Sequence, residues 1–465
     1  MHEAIRPTAR HWRILTFAWL VWLTGFASLM LMSFVLEPVK RAFGPSEIEL
    51  AWLTGLAIGA TGVGGFVFGA LADRAGRRTS MAVAVVAFVA GNLLSALAPS
   101  FAALAGARVL AGLGIGGAWG AGQAMIGETF PPALRGRYAA FAQSGAPLGL
   151  GLATILGTFV TPHIGWRATF ALGIVPILLL LALPLVPESD VWHSAGRGHG
   201  LGAMARTLVA APVGSLFVRC FVLTALAISN YWFTVTWLPR YLQVERGLSL
   251  ARSGWASLAF VAGALVGYPA FGFAADLRGR RIAFTIFSLI SAGALLMFTV
   301  FYPSIAAQPR LVLLFLFAAG VGTGIWSAFG PMMSELFPTR VRGSAMSIVM
   351  NSTRGVQLLA PVVIAAVAPT WGMAGGIALA AGFAVLAALV AWQWEERQPI
   401  SRVSWELPIV LTLMSLALGA VALIACRRAN RVLLFLLDFS AVLVAAWLFN
   451  HLYARVAISR PFWLH

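Results

Sequence analysis

The sequence predicts an all-α polytopic membrane protein. Three observations carry that reading: an apolar composition, apolar runs of spanning length along nearly the whole chain, and basic residues gathered in the short gaps between runs. Hydrophobic residues fill 60% of the 465 positions and charged residues only 10%, with a mean hydropathy of +0.88; a soluble globule is about half apolar and about a quarter charged. A helix needs about 20 mostly apolar residues to cross the hydrocarbon core. Only helices and closed barrels satisfy every backbone polar group there, and continuous runs such as Ile177 to Val186 lack the alternation of barrel strands.

Arg6, Arg10 and Arg13 lead into a first run too long for a signal h-region and without a small-residue cleavage site, so it reads as the first membrane helix. Charge and turn punctuation then place helices near 13–36, 49–72, 79–98, 101–127, 138–160 and 166–186, a six-helix bundle within residues 1–186. A central loop, 187–214, leads to a second bundle, 215–398. Its helices fall near 215–239, 253–275, 282–302, 310–334, 344–368 and 371–394. Two further apolar runs, 407–426 and 432–453, make an extra C-terminal hairpin within 399–465. Arginine-rich loops alternate along the chain, which puts the N-terminus and the central loop in the cytoplasm. Arg240, Arg246 and Arg252 weaken the contrast in one opposite loop.

The net charge of +17 does not signal nucleic acid, because the basic residues sit in short clusters rather than on one soluble face. Cys220 and Cys426 lie in or beside apolar segments, far apart, and suggest packing rather than a disulfide. No His, Cys or Ser cluster has metal-ligand or catalytic spacing, so neither an enzyme nor a cofactor is expected.

An internal repeat is the strongest signal. Gly69-Ala-Leu-Ala-Asp73-Arg-Ala-Gly76-Arg77-Arg78 recurs 203 residues later as Gly272-Phe-Ala-Ala-Asp276-Leu-Arg-Gly279-Arg280-Arg281. Glu128-Thr-Phe-Pro131-Pro-Ala-Leu-Arg135-Gly136 recurs after 207 residues as Glu335-Leu-Phe-Pro338-Thr-Arg-Val-Arg342-Gly343. Two motifs in the same order argue for duplication of a six-helix unit. Gly69 and Asp73 share a helix face, where a missing side chain allows close approach and the carboxylate can reach a neighbouring helix N-terminus.

With both motifs doubled, residues 13–395 resemble the major facilitator superfamily, as do Arg108-Val-Leu-Ala-Gly112-Leu-Gly114 and Pro187-Glu188-Ser189. The last string is similar to the sugar-porter and metabolite-symporter branches. The resemblance implies two pseudo-repeated six-helix bundles that rock around a central site. It also implies a charge network, Asp73, Arg77 and Glu128 with Arg135, mirrored by Asp276, Arg280, Glu335 and Arg342, that breaks on opening.

Ionisable residues within a span cost a few kcal/mol or more, so each is a functional hypothesis. Arg108 lies a third of the way into helix four, and Arg354 lies mid-span in Asn351-Ser-Thr-Arg354-Gly355-Val-Gln357. A guanidinium at that depth suits bidentate capture of a carboxylate; pairing with backbone carbonyls is the structural alternative. Arg354 with its preceding Asn and following Pro361 resembles the aromatic-acid and sialate symporter branch, which implies a small organic anion. Gln143, Asn230, Tyr231, Trp119, Trp232, Asn351 and Gln357 are the polar and aromatic cavity candidates, with packing as the alternative for each. Trp237 reads as an interfacial anchor.

The same branch carries two acids in helix one, where this chain reads Thr24-Gly25-Phe26-Ala27, and no other acid lies mid-span in the first twelve helices. Facilitated diffusion, exchange, or proton coupling through Glu128 all stay open. The expected function is alternating-access transport of an organic anion across a bacterial inner membrane. A sugar-like neutral substrate is the first alternative, and a non-transporting subunit is the second. The tail, 400–465, offers a dimer or protein contact.

Overall fold

The computed structural model describes residues 7–131, 138–139, 141–190, 192, 213–337 and 342–392. The expectations for Arg135, for most of the central loop and for the hairpin at 399–465 fall outside these residues. Within them the chain is helical, and ten helices are long and apolar enough to span a bilayer. Two of the ten, Phe141–Leu185 and Ala345–Trp392, hold 45 and 48 residues. Each would run to about 70 Å at 1.5 Å per residue, more than twice the hydrocarbon thickness. Both turn back at a glycine with positive φ, Gly165 (79°) and Gly372 (69°). Each therefore crosses twice, and ten helices make twelve crossings among the described residues.

The first half comprises α1 (Ala9–Phe43), α2 (Glu47–Ala75), α3 (Arg77–Leu97), α4 (Phe101–Thr129), α5 (Gly145–Ile155) and α6 (Thr161–Ala171). The second comprises α7 (Val213–Val235), α8 (Leu250–Arg278), α9 (Arg280–Thr299), α10 (Pro309–Gly322), α11 (Arg342–Val356) and α12 (Leu359–Trp392). The crossing begun by α5 continues through a π-helical stretch, Leu156–Val160, and α6 continues as a 3-10 helix over Leu172–Leu185. Helix α1 runs seven residues beyond its expected end. The added turns carry charged residues such as Lys40 and Arg41, and the chain closes on Gly44 in the left-handed region, its N–H donating to the Lys40 carbonyl at 2.8 Å.

Duplication is written in the backbone as well as in the motifs. Gly76 and Gly279, 203 residues apart, each end one helix and start the next with φ 94° and 86° and ψ 155° and 153°. Gly165 and Gly372, 207 apart, form the matching turns at the opposite face. A side chain at any of these positions would be strained.

The halves meet where α2 packs on α11 and α12, and where α5 packs on α8. The close approach expected at Gly69 and Gly272 is not there: a Cβ at either would meet nothing within 4 Å. It occurs two turns earlier on α2. A Cβ at Gly62 would lie 2.6 Å from the Asn351 carbonyl oxygen and 2.7 Å from the Gly355 nitrogen, and one at Gly65 would collide with the Asn351 side chain. Gly69 stands too near the end of α2 for the crossing helices still to touch.

Candidate functional site

Arg354 sits at the centre of the molecule, 12 residues or about 18 Å along α11 from Arg342. It is 4% exposed. Its guanidinium carbon lies 3.9 Å from the centroid of the Trp119 ring and 5.4 Å from that of Trp22. Both indoles belong to the first half, so a cation–π contact joins the halves at mid-depth. Trp119 is held in place because its Nε1–H donates to Gln143 Oε1 at 3.0 Å. Arg354 Nη1 is buried and has no hydrogen-bond partner among the described residues.

Beside it lies a cavity of about 20 Å³ lined by Trp22, Phe26, Gln143, Tyr231, Trp232, Tyr268, Trp326 and Arg354. That volume holds about one water molecule, so the site is closed in this conformation. Aromatic rings from both halves fill it: Phe26 lies 6.4 Å from Tyr231 and 6.1 Å from Trp232, and Tyr231 lies 5.4 Å from Trp326. The indole Nε1 groups of Trp22, Trp232 and Trp326 are, like Arg354 Nη1, buried donors without a partner. Buried polar groups are nearly always paired. Four unpaired donors around one cavity make a surface complementary to a ligand rich in lone pairs.

Other expected site residues divide differently. Arg108 is wholly buried inside the first half, with Nη1 donating to Asn92 Oδ1 at 2.9 Å, Nη2 to the Ser28 carbonyl at 2.9 Å, and its guanidinium over Phe170. It does not line the cavity. Asn230 donates to the Ala380 carbonyl and accepts from Ser291, bonds that tie α7 to α12 and α9 rather than facing a ligand. Gln357 donates to Ser229 Oγ at 3.1 Å. Asn351 faces α2 at Gly65, with Nδ2 donating to Ser347 and Oδ1 buried without a partner. Trp237, expected at the interface with headgroups, is buried. Phe26, Tyr268 and Trp326 escaped the sequence reading, as did the importance of Trp22.

The repeated loops build a network at one face of the bundle. Arg77 donates from Nη2 to Glu128 Oε1 at 2.8 Å and from Nη1 to Asp73 Oδ1 at 2.9 Å. The N-terminus of α3 is capped by Glu188, which accepts from the backbone N–H groups of Arg77 and Arg78 at 3.0 and 3.1 Å. A Cβ at Gly76 would strike that carboxylate. Among the described residues Asp73, Arg77 and Glu128 bond to one another and to Glu188 and Trp192 of the segment after the first half, so the network braces α2, α3 and α4. Gly272 and Arg280 occupy the mirror positions on α8 and α9; the side chains of Asp276, Glu335 and Arg342 fall outside the described set. At the opposite face a charged contact does cross between halves: Arg240 donates to Glu37 at 2.9 Å and to Glu47 at 2.7 Å.

Two pseudo-symmetric six-span units around a buried cavity with unpaired donors have the architecture of a secondary transporter. A Major Facilitator Superfamily profile matches residues 17–254 and 220–459, and the chain belongs to that family. It is 31% identical to the inner membrane metabolite transport protein YhjE of Escherichia coli, covering 74% of this chain and 85% of that one. It is 28% identical to a cis,cis-muconate transport protein of Acinetobacter baylyi, covering 83% and 94%. The inward-open xylose transporter XylE from E. coli superposes with a TM-score of 0.65 at 20% identity, over 84% of this chain and 98% of that one.

Proposed function

We propose that this protein moves small organic carboxylates, aromatic or otherwise unsaturated, across a bacterial inner membrane by alternating access, with its N-terminus in the cytoplasm. The observation that carries the reading is the set of unpaired donors around the central cavity: Arg354 Nη1 and three indole N–H groups await acceptors. A carboxylate offers four lone-pair sites and a charge that offsets the buried guanidinium. The flat faces of Trp22 and Trp119, now stacked on Arg354, suit a planar unsaturated body. The muconate-transporting relative carries a ligand of that class.

In this mechanism the two halves rock about the α2–α11 contact, and the cavity expands as its aromatic rings part. The carboxylate then takes the place of the Trp119 face on Arg354. Arg108, Asn92 and Ser28 hold α1, α3 and α4 together as one rigid body through the cycle. Arg77, Asp73 and Glu128 do the same at the cytoplasmic face, and the mirror residues Arg280, Asp276 and Glu335 serve the second half. No carboxylate lines the central cavity among the described residues, which favours exchange or facilitated diffusion. The one buried, unpartnered carboxylate oxygen among the described residues is Glu128 Oε2, so Glu128→Gln is the variant for any proton dependence.

Purified protein in liposomes tests the reading. Benzoate, cis,cis-muconate and a dihydroxybenzoate are expected to show saturable uptake that xylose does not inhibit. Inhibition by xylose and not by acids would instead support a neutral, sugar-like substrate.

A further inference from the structure

A second cavity lies at the outer face, away from the central site. It has a volume of about 340 Å³, within the range of small-molecule pockets, whereas the central one admits a single water. Its walls come from both halves: Ser33, Phe34 and Glu37 on α1, Trp166 at the turn after α5, and Arg240 and Val244 beyond α7. Two of its polar groups are distinctive. The Ser33 hydroxyl is 3% exposed and unpartnered. The Arg240 side chain, only 6% exposed, holds Glu37 with Nη1 and Glu47 with Nη2. Arg41 also lines the cavity, 3.7 Å from Glu37. Glu37 thus serves two guanidinium groups at once, and Lys40 shares Glu47.

We infer that this cavity is an outer binding site for the same class of small carboxylate, and that binding there loosens the contact between the halves. The inference rests on the anionic-substrate reading above. A carboxylate seated among Arg41, Arg240 and Ser33, with its apolar body against Phe34 and Trp166, competes with Glu37 for Arg240 Nη1. Glu37 stands on α1 and Arg240 on the second half, so exchanging one carboxylate for the other removes one of the two ion pairs, to Glu37 and to Glu47, by which Arg240 ties the halves at the outer face. The ligand is then already beside the passage that opens. Exposed ion pairs are weak, but Arg240 is almost wholly shielded, which raises the cost of leaving it unpaired and makes a replacement anion the natural route to opening.

The test uses 19F NMR of 4-fluorobenzoate on the full-length protein in detergent. Two bound signals are expected in the unaltered chain. Arg354→Gln removes one of them. Glu37→Gln, which deletes the internal competitor, strengthens the other by about tenfold, and Arg240→Lys weakens it by a similar factor. A single bound signal that disappears with Arg354→Gln overturns the outer site and leaves the central reading intact. A second signal indifferent to both Glu37→Gln and Arg240→Lys also overturns it. Binding that survives Arg354→Gln unchanged and is lost on Arg240→Lys supports the outer site and overturns the central one. Absence of any bound signal overturns both.

Discussion

Arg108 and Arg354 are both arginines buried within the membrane, yet their surroundings have little in common. Arg108 is enclosed by one half, and its two terminal nitrogens meet an amide and a carbonyl oxygen on α3 and α1, which leaves only Nε unpartnered among the described residues. Arg354 stands at the seam between halves, with ring faces for neighbours and Nη1 unpaired. Burying an ion costs several kcal/mol unless hydrogen bonds replace its hydration. The contrast therefore separates a group that organises the fold from one that waits for a ligand.

That separation breaks if the two arginines respond alike to substitution. The largest expected effect is for Arg354→Gln: benzoate affinity falls about 100-fold, or ~3 kcal/mol, while the thermal unfolding midpoint in detergent stays level or rises. Arg108→Met should do the reverse. It leaves Asn92 Oδ1 with the Ser28 hydroxyl as its donor and takes the guanidinium from the Ser28 carbonyl, costs about 2–4 kcal/mol of stability, and leaves benzoate affinity within about threefold in the protein that folds. Asn92→Leu sharpens the same point with a smaller loss of about 1–3 kcal/mol, again read in the unfolding midpoint and not in binding. The smallest effect belongs to Trp119→Phe, which keeps a ring beneath Arg354 but loses the bond to Gln143. Benzoate affinity should change by about threefold to fivefold, since a neutral hydrogen bond is worth about 1 kcal/mol.

The fold was readable because membrane crossing leaves one-dimensional traces. Apolar runs report length, and the doubled motifs report duplication; Gly76 and Gly279 even share a conformation because each must end one helix and start another at once. The site was readable only in outline. Arg354 stood out through its charge, but Asn230, Asn351 and Gln357 looked alike in the sequence, and whether their hydrogen bonds are filled depends on distant neighbours such as Ala380 and Ser229. Tyr268 and Trp326 had no signal, because aromatic rings facing lipid and aromatic rings facing a cavity are equally apolar in one dimension. Glu188 looked like part of a family string; its task at the N-terminus of α3 needs a contact across 111 residues. The Arg240–Glu37 bridge spans 203 residues and was hidden behind topology counting.

The measurement that bears most directly on the central claim is a calorimetric titration of the purified protein with benzoate and with benzamide, its neutral counterpart of the same shape, in the unaltered chain and in Arg354→Gln. The account predicts that the unaltered chain prefers benzoate by at least about tenfold, since bonds to charged groups are worth about 1.5–3 kcal/mol, and that the preference vanishes with Arg354. Equal affinity for the two ligands in the unaltered chain, or a preference that survives Arg354→Gln, would contradict it.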